Sequence, residues 1–133
     1  MFEKILLAVD GSEHSRKAAA AAGDLARKSS GEVRVLYVHE EGLFSPIESR
    51  PEAQSMVDGV VEGLVADGVK ASGEAVATRT GSVAPTILEA ARSFSADLIV
   101  MGTRGLSDFT GLLLGSVAHK VIHHADCPVL VVR

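Results

Sequence analysis

The residues of this chain best suited to chemistry are glycines and their polar neighbours. Gly102-Thr103-Arg104-Gly105 is followed, after nine residues, by Gly115-Ser116. Gly102 and Gly105 lack a Cβ, so the backbone there can bend sharply and bring its N–H groups close to an anion. Gly115-Ser116 falls where a helix should begin, and the free N–H groups and positive dipole end of a helix start form an anion site. The Ser116 hydroxyl adds a donor, and Arg104 adds charge-assisted bonds suited to phosphate. Two glycine elements flanking a loop are spaced to clasp a chain of phosphates. The pattern is not a Gly-Lys-Ser/Thr P-loop, and no G-x-G-x-x-G follows the first strand. A second polar cluster, Asp10-Gly11-Ser12, ends the first apolar run. Asp10 is read as a ribose contact or an aid to holding a metal; its other role is to cap the turn beside Ser12.

The remaining candidates carry less. His119 and His123 lie four apart and share a helix face, as metal ligands do, but no third ligand or Glu motif accompanies them. They are read as non-ligating, and no metal site is assigned. His123 and His124 fall near a helix C-terminus, where partial positive charge is favourable. Cys127 opens an apolar run and is read as a small buried hydrophobe rather than a nucleophile. His14 and His39 lie near strand ends and can approach the site, but nothing in their spacing makes either a general base. No catalytic residue is assigned.

These groups need a scaffold, and the hydrophobic pattern supplies one. Ile5–Val9, Val33–His39, Val69–Thr78, Leu98–Met101 and Cys127–Val132 read as strands. Helices are expected from Glu13 to about Ser29, with Ser12 as N-cap and Gly31 closing it. Others are expected after about Pro51, with Met56, Val60, Val61 and Leu64 on one face, to near Gly68, from Val83 to Phe94 with Ser82 as cap, and from about Ser116 to His124. Residues 40–51, with Gly42, Pro46 and Pro51, read as an irregular loop. Alternating strands and helices, with mostly apolar strands, imply a single α/β domain over 1–133: an open, doubly wound, five-stranded parallel sheet with helices on both faces. In such a sheet ligands sit beyond the carboxyl ends of the strands where the winding reverses, which is where Asp10 and Gly102 fall.

Composition narrows the function classes. The chain has 133 residues, 47% of them apolar and 23% charged, a globular balance. Its net charge of −4 argues against nucleic acid as the main partner. A single cysteine excludes an internal disulfide and fits a reducing compartment. The start of the chain lacks the pattern of a signal peptide, and no apolar run is long enough to span a membrane. The expectation is a cytoplasmic protein with no membrane partner.

Along its full length the chain resembles the universal stress protein family. The resemblance runs through Ile5-Leu6-Leu7-Ala8-Val9-Asp10-Gly11-Ser12, Val35-Leu36-Tyr37-Val38 and Ile87-Leu88-Glu89-Ala90-Ala91. It is strongest in Ala96 to Gly105 and from Gly115-Ser116-Val117-Ala118 to the tail Cys127-Pro128-Val129-Leu130-Val131-Val132. The spacing G-x-x-G-x(9)-G-S marks the family's ATP-binding branch. The resemblance implies strand order 3-2-1-4-5, a homodimer through strand 127–132, and ATP as ligand, with Mg2+ or Mn2+ bound through the phosphates. It sets adenine and ribose near Ala8, Val9 and Asp10, with the Val38 backbone at the adenine edge. Met101 and Gly102 would lie along the nucleoside. Arg104, Gly105, Gly115, Ser116, Val117 and Ala118 would surround the phosphates. Some relatives have a polar residue at the position of Ala118.

The reading that follows is an ATP-binding stress-response protein acting as a nucleotide-dependent binding or regulatory module. A slow ATPase or phosphoryl-transfer enzyme is the alternative, with Asp10 and Arg104 as its only candidate participants. An interaction dimer binding another adenine nucleotide, or none, is the third.

Overall fold

The computed structural model describes residues 1–41, 49–103 and 114–133. The described elements run β1 (Lys4–Val9), α1 (Glu13–Ser29), β2 (Glu32–Glu41), α2 (Ser49–Ala66), β3 (Lys70–Arg79), α3 (Val83–Phe94), β4 (Leu98–Gly102), α4 (Ser116–His124) and β5 (Val129–Val132). The strands form one five-stranded sheet in the order β3-β2-β1-β4-β5. Every pairing is parallel. This is the expected doubly wound architecture.

β1 lies at the centre, with Leu7 opposite Val35 on one side and Val100 on the other. Strands flanked on both sides and covered on both faces must be apolar throughout, and Ile5 through Val9 are all buried. Alternate residues of β1 serve different layers. Ile5, Leu7 and Val9 pack with Ala18, Ala22 and Ala26 of α1 and with Val57 and Leu64 of α2. Leu6 and Ala8 pack on the other face with Ile87 and Ala91 of α3 and Ala118 and Val121 of α4. α1 meets the sheet through alanines four residues apart, so its backbone lies close to the strands. The Asp97 carboxylate accepts the N–H groups of Glu3 (2.9 Å) and Lys4 (3.1 Å), tying the start of β1 to the entry of β4.

Local chemistry corrects several boundaries. Gly31 is not the left-handed residue that ends α1. Ser30 takes that conformation, with φ 53°, and its N–H donates to the Ala26 carbonyl. Gly31 is needed for a different reason: a Cβ there would stand 2.4 Å from the backbone oxygen of Phe2. Pro51, expected in a loop, lies in the first turn of α2, where its missing N–H costs little. The Ser82 side chain makes no cap bond; its carbonyl instead accepts from the N–H (3.1 Å) and hydroxyl (2.7 Å) of Thr86. Cys127 and Pro128 precede β5, which begins at Val129. The part of the expected loop covering residues 42–48 lies outside the described residues.

These contacts predict opposite effects for two glycine substitutions. Gly31→Ala should destabilise the fold by about 1–3 kcal/mol, the usual cost of forcing atoms into a packed site. Gly63→Ala, in α2 with nothing within 4 Å of the added carbon, should stabilise it by about 1 kcal/mol through helix propensity. Urea denaturation of both variants measures the difference.

Candidate functional site at the carboxyl edge of the sheet

The winding reverses between β1 and β4. α1 leaves β1 towards β2 on one face of the sheet, and α3 reaches β4 on the other, so their connections diverge and leave a crevice. A cavity of about 430 Å³ opens there. Its walls bring together Ala8 and Val9 from the end of β1 with Asp10 just beyond it, Val38 from β2, Met101 and Gly102 from β4, and Gly115, Ser116, Val117 and Ala118 from the start of α4. These are ten of the twelve expected binding residues; the other two, Arg104 and Gly105, lie outside the described residues.

Two helix starts at this edge are built differently. At α1, the Ser12 hydroxyl accepts the Ser15 N–H (3.2 Å), and the Ser15 hydroxyl donates to the Ser12 carbonyl (3.0 Å). Asp10 Oδ1 accepts the Ser12 N–H at 2.9 Å. The α1 terminus is thus capped by its own chain, and one oxygen of Asp10 is engaged in doing so. At α4 the N-cap is Gly115, which has no side chain with which to cap. The helix ladder starts with the His119 N–H on the Gly115 carbonyl (2.9 Å), leaving the first-turn N–H groups of Ser116, Val117 and Ala118 at the cavity wall. Such a turn presents donors and the positive end of a helix dipole. The Gly115 N–H donates to the Thr103 carbonyl, which holds the start of α4 against the end of β4.

Gly102 has a packing role. A Cβ there would meet His14 Cβ at 2.7 Å and the Ser15 nitrogen at 3.2 Å, so the glycine lets α1 sit on the end of β4. His14 Nδ1 lies 3.2 Å from the buried Thr103 hydroxyl, adding a polar tie across the same contact.

Sequence reasoning missed Ser15, Leu36, Tyr37, Glu40, Val83, Ile87 and Thr103 in the cavity wall, and left His39 without a role. The β2 residues were within reach of inference, because parallel register with β1 carries the end of β2 past the same edge. The Tyr37 ring stacks on His39, with centroids 5.6 Å apart. Burial, and secondarily the Asp10 carboxylate, push the Tyr37 phenol above its ordinary range. Away from the cavity, burial followed by Asp97 and Asp126 raises the Cys127 thiol, which disfavours the thiolate.

A larger groove of about 660 Å³ lies near the amino ends of β1 and β2, lined in part by Lys4, Arg34, Glu74 and Phe94. Lys4 and Arg34 both stand over the Phe94 ring, at 5.4 and 4.6 Å from its centroid. Its walls mix charges of both signs and it lies away from the switch point, so the smaller cavity is the better ligand site.

Fold and cleft together define a doubly wound α/β protein with a ligand crevice between the first and fourth strands. The chain belongs to the universal stress protein family, whose model matches residues 1–133. It is 40% identical to a universal stress protein of Thermus aquaticus and 33% identical to universal stress protein YxiE of Bacillus subtilis, with full coverage of both chains in each case. Among solved structures it superposes on hypothetical protein MJ0577 with a TM-score of 0.86 and 28% identity, covering 99% of this chain and 96% of that one. It superposes on a universal stress protein in complex with cAMP with a TM-score of 0.76 and 25% identity, covering 99% and 97%. No helix among the described residues is long and apolar enough to cross a membrane.

The chain has one tyrosine, so phenolate absorbance reports Tyr37 alone. Its titration midpoint in the folded protein should lie above that of the urea-unfolded chain. Asp10→Asn should lower it, because removing the carboxylate removes one cause of the rise. The matching stability is present below the unfolded midpoint and is lost as pH rises from there towards the folded one.

Proposed function

We propose that residues 1–133 act as one nucleotide-binding unit. In this reading the cleft takes an adenine nucleotide, ATP first among them, with its phosphates on the open first turn of α4. The observation that carries it is the uncapped helix start at Gly115, standing in one cavity with the ends of β1, β2 and β4. The apolar groups Ala8, Val38, Ile87 and Met101 suit the flat base, and the remaining oxygen of Asp10 suits the ribose hydroxyls. Ser116, Val117 and Ala118 suit the phosphates by backbone N–H, and Ser116 also by its hydroxyl. Arg104 and Gly105 complete the phosphate side in the G-x-x-G-x(9)-G-S spacing. Mg2+ or Mn2+ would be carried on the phosphates. The cAMP-bound relative supports an adenine nucleotide as the ligand class. Nucleotide occupancy then biases the choice of partner, which requires different affinity for two states.

Calorimetric titration of nucleotide-free protein with ATP and Mg2+ tests this. Saturable binding is expected, abolished by Gly115→Val. Ser116→Ala should weaken it about tenfold or more, the worth of one hydrogen bond to a charged group. Absence of binding by folded, nucleotide-free protein would sink the reading. Gly102 is a poor choice for this test, because its replacement disturbs the contact with α1.

The same reading includes a homodimer through strand 127–132. In support, β5 pairs with β4 and ends the strand order, and Leu130 is 37% exposed. An exposed apolar edge strand is an aggregation hazard unless a partner covers it. Leu130→Asp should convert a dimer into a monomer in sedimentation equilibrium; a wild-type monomer at high concentration would contradict the proposal.

A further inference from the structure

The outer face of α4 carries three imidazoles in its last six residues: His119, His123 and His124, all exposed. Residues four apart on a helix stand one above the other. The His119 and His123 rings take up this relation, with centroids 6.4 Å apart and planes 12° from parallel. His124 meets His123 edge-on at 4.9 Å.

The nearest carboxylate in sequence does not compete for these rings. Asp126 accepts from Arg92 Nε at 2.9 Å, in an ion pair with α3. The pair also stands towards the C-terminal end of α4, where the helix dipole favours positive charge. Lys120, exposed beside His119, opposes a cation there. The site therefore calls for an ion that bonds to imidazole rather than one held by charge alone.

We propose that His119 and His123 form a two-imidazole site for a late first-row divalent ion of the Ni2+, Cu2+ or Zn2+ class. Imidazole is a preferred ligand of these ions, and affinity rises along the series to Cu2+. Two histidines at this helical spacing are an established way to hold such an ion. Among the described residues no group of three or more His, Cys, Asp or Glu side chains gathers around one point. The protein thus supplies two ligands and water fills the other positions. That gives an exchangeable surface site that spans one turn of α4 and fixes that turn when occupied. The sequence alone argued against a metal here for want of a third ligand. What the fold adds is that both rings are exposed neighbours one turn apart on α4, so each can turn a nitrogen towards one ion while water takes the place of the missing third ligand.

The probe is Ni2+, titrated calorimetrically into the full chain after removal of any polyhistidine tag. One saturable ion per chain is expected. His119→Ala and His123→Ala should each weaken it about tenfold or more, because a second ligand on one scaffold acts at high effective concentration. His124→Ala should change it less than twofold. The side chains are exposed, so circular dichroism should show all three variants folded. If either His119→Ala or His123→Ala binds as the wild type does, or if no saturable binding occurs, the proposal is overturned. An equal loss in His124→Ala would overturn the pairing.

Discussion

β1 hydrogen-bonds on both sides to strands whose crossover helices lie on opposite faces of the sheet, and the carboxyl edge depends on that arrangement. Had β1 been an edge strand, the winding would not reverse beside it. The strand pays for its position in composition. It is buried from Ile5 to Val9 and serves two cores at once. The polar residues it delivers, Asp10 and Ser12, must therefore wait until the strand has ended. The same constraint places Gly102. α1 starts over the end of β4, and only a residue without a Cβ admits it there.

The electrostatic character of the cleft follows from what each helix start does with its own N–H groups. α1 satisfies its first turn with Ser12 and draws in Asp10 to hold the approach. α4 begins on a glycine and leaves its first turn to the cavity. A helix dipole alone contributes about 0.3–1 kcal/mol towards an anion, whereas each hydrogen bond to a charged group contributes about 1.5–3 kcal/mol. The directed N–H groups of Ser116, Val117 and Ala118 would thus supply more of the proposed phosphate binding than the field does. A carboxylate at Asp10 on the opposite wall disfavours an anion there, which gives the proposed ligand a direction across the cleft.

Much of this was legible in the sequence because it rests on short-range rules. The apolar runs and the limits of α3 and α4 follow from periodicity, the start of α1 from the Ser12 cap, and the strand order from the family resemblance. What escaped detection depends on contacts between distant segments. Gly31 looks like a helix terminator until Phe2 is brought against it. Gly102 reads as a ligand glycine, and its packing role, admitting α1 over the end of β4, shows only once the two segments are brought together. Ser15, Thr103 and Val83 join the cavity wall through the packing of α1, β4 and α3, which no local pattern encodes. The start of α2 was obscured because Pro51 reads as a loop residue unless the helix is known to begin at Ser49.

The central claim is the place of the ligand, and amide chemical shifts of nitrogen-labelled protein titrated with ATP and Mg2+ test it most directly. The account predicts the largest changes at Ser116, Val117 and Ala118, with a second group at Asp10, Val38 and His39. Saturable changes confined to the groove around Arg34, Glu74 and Phe94, with the first turn of α4 undisturbed, would contradict it.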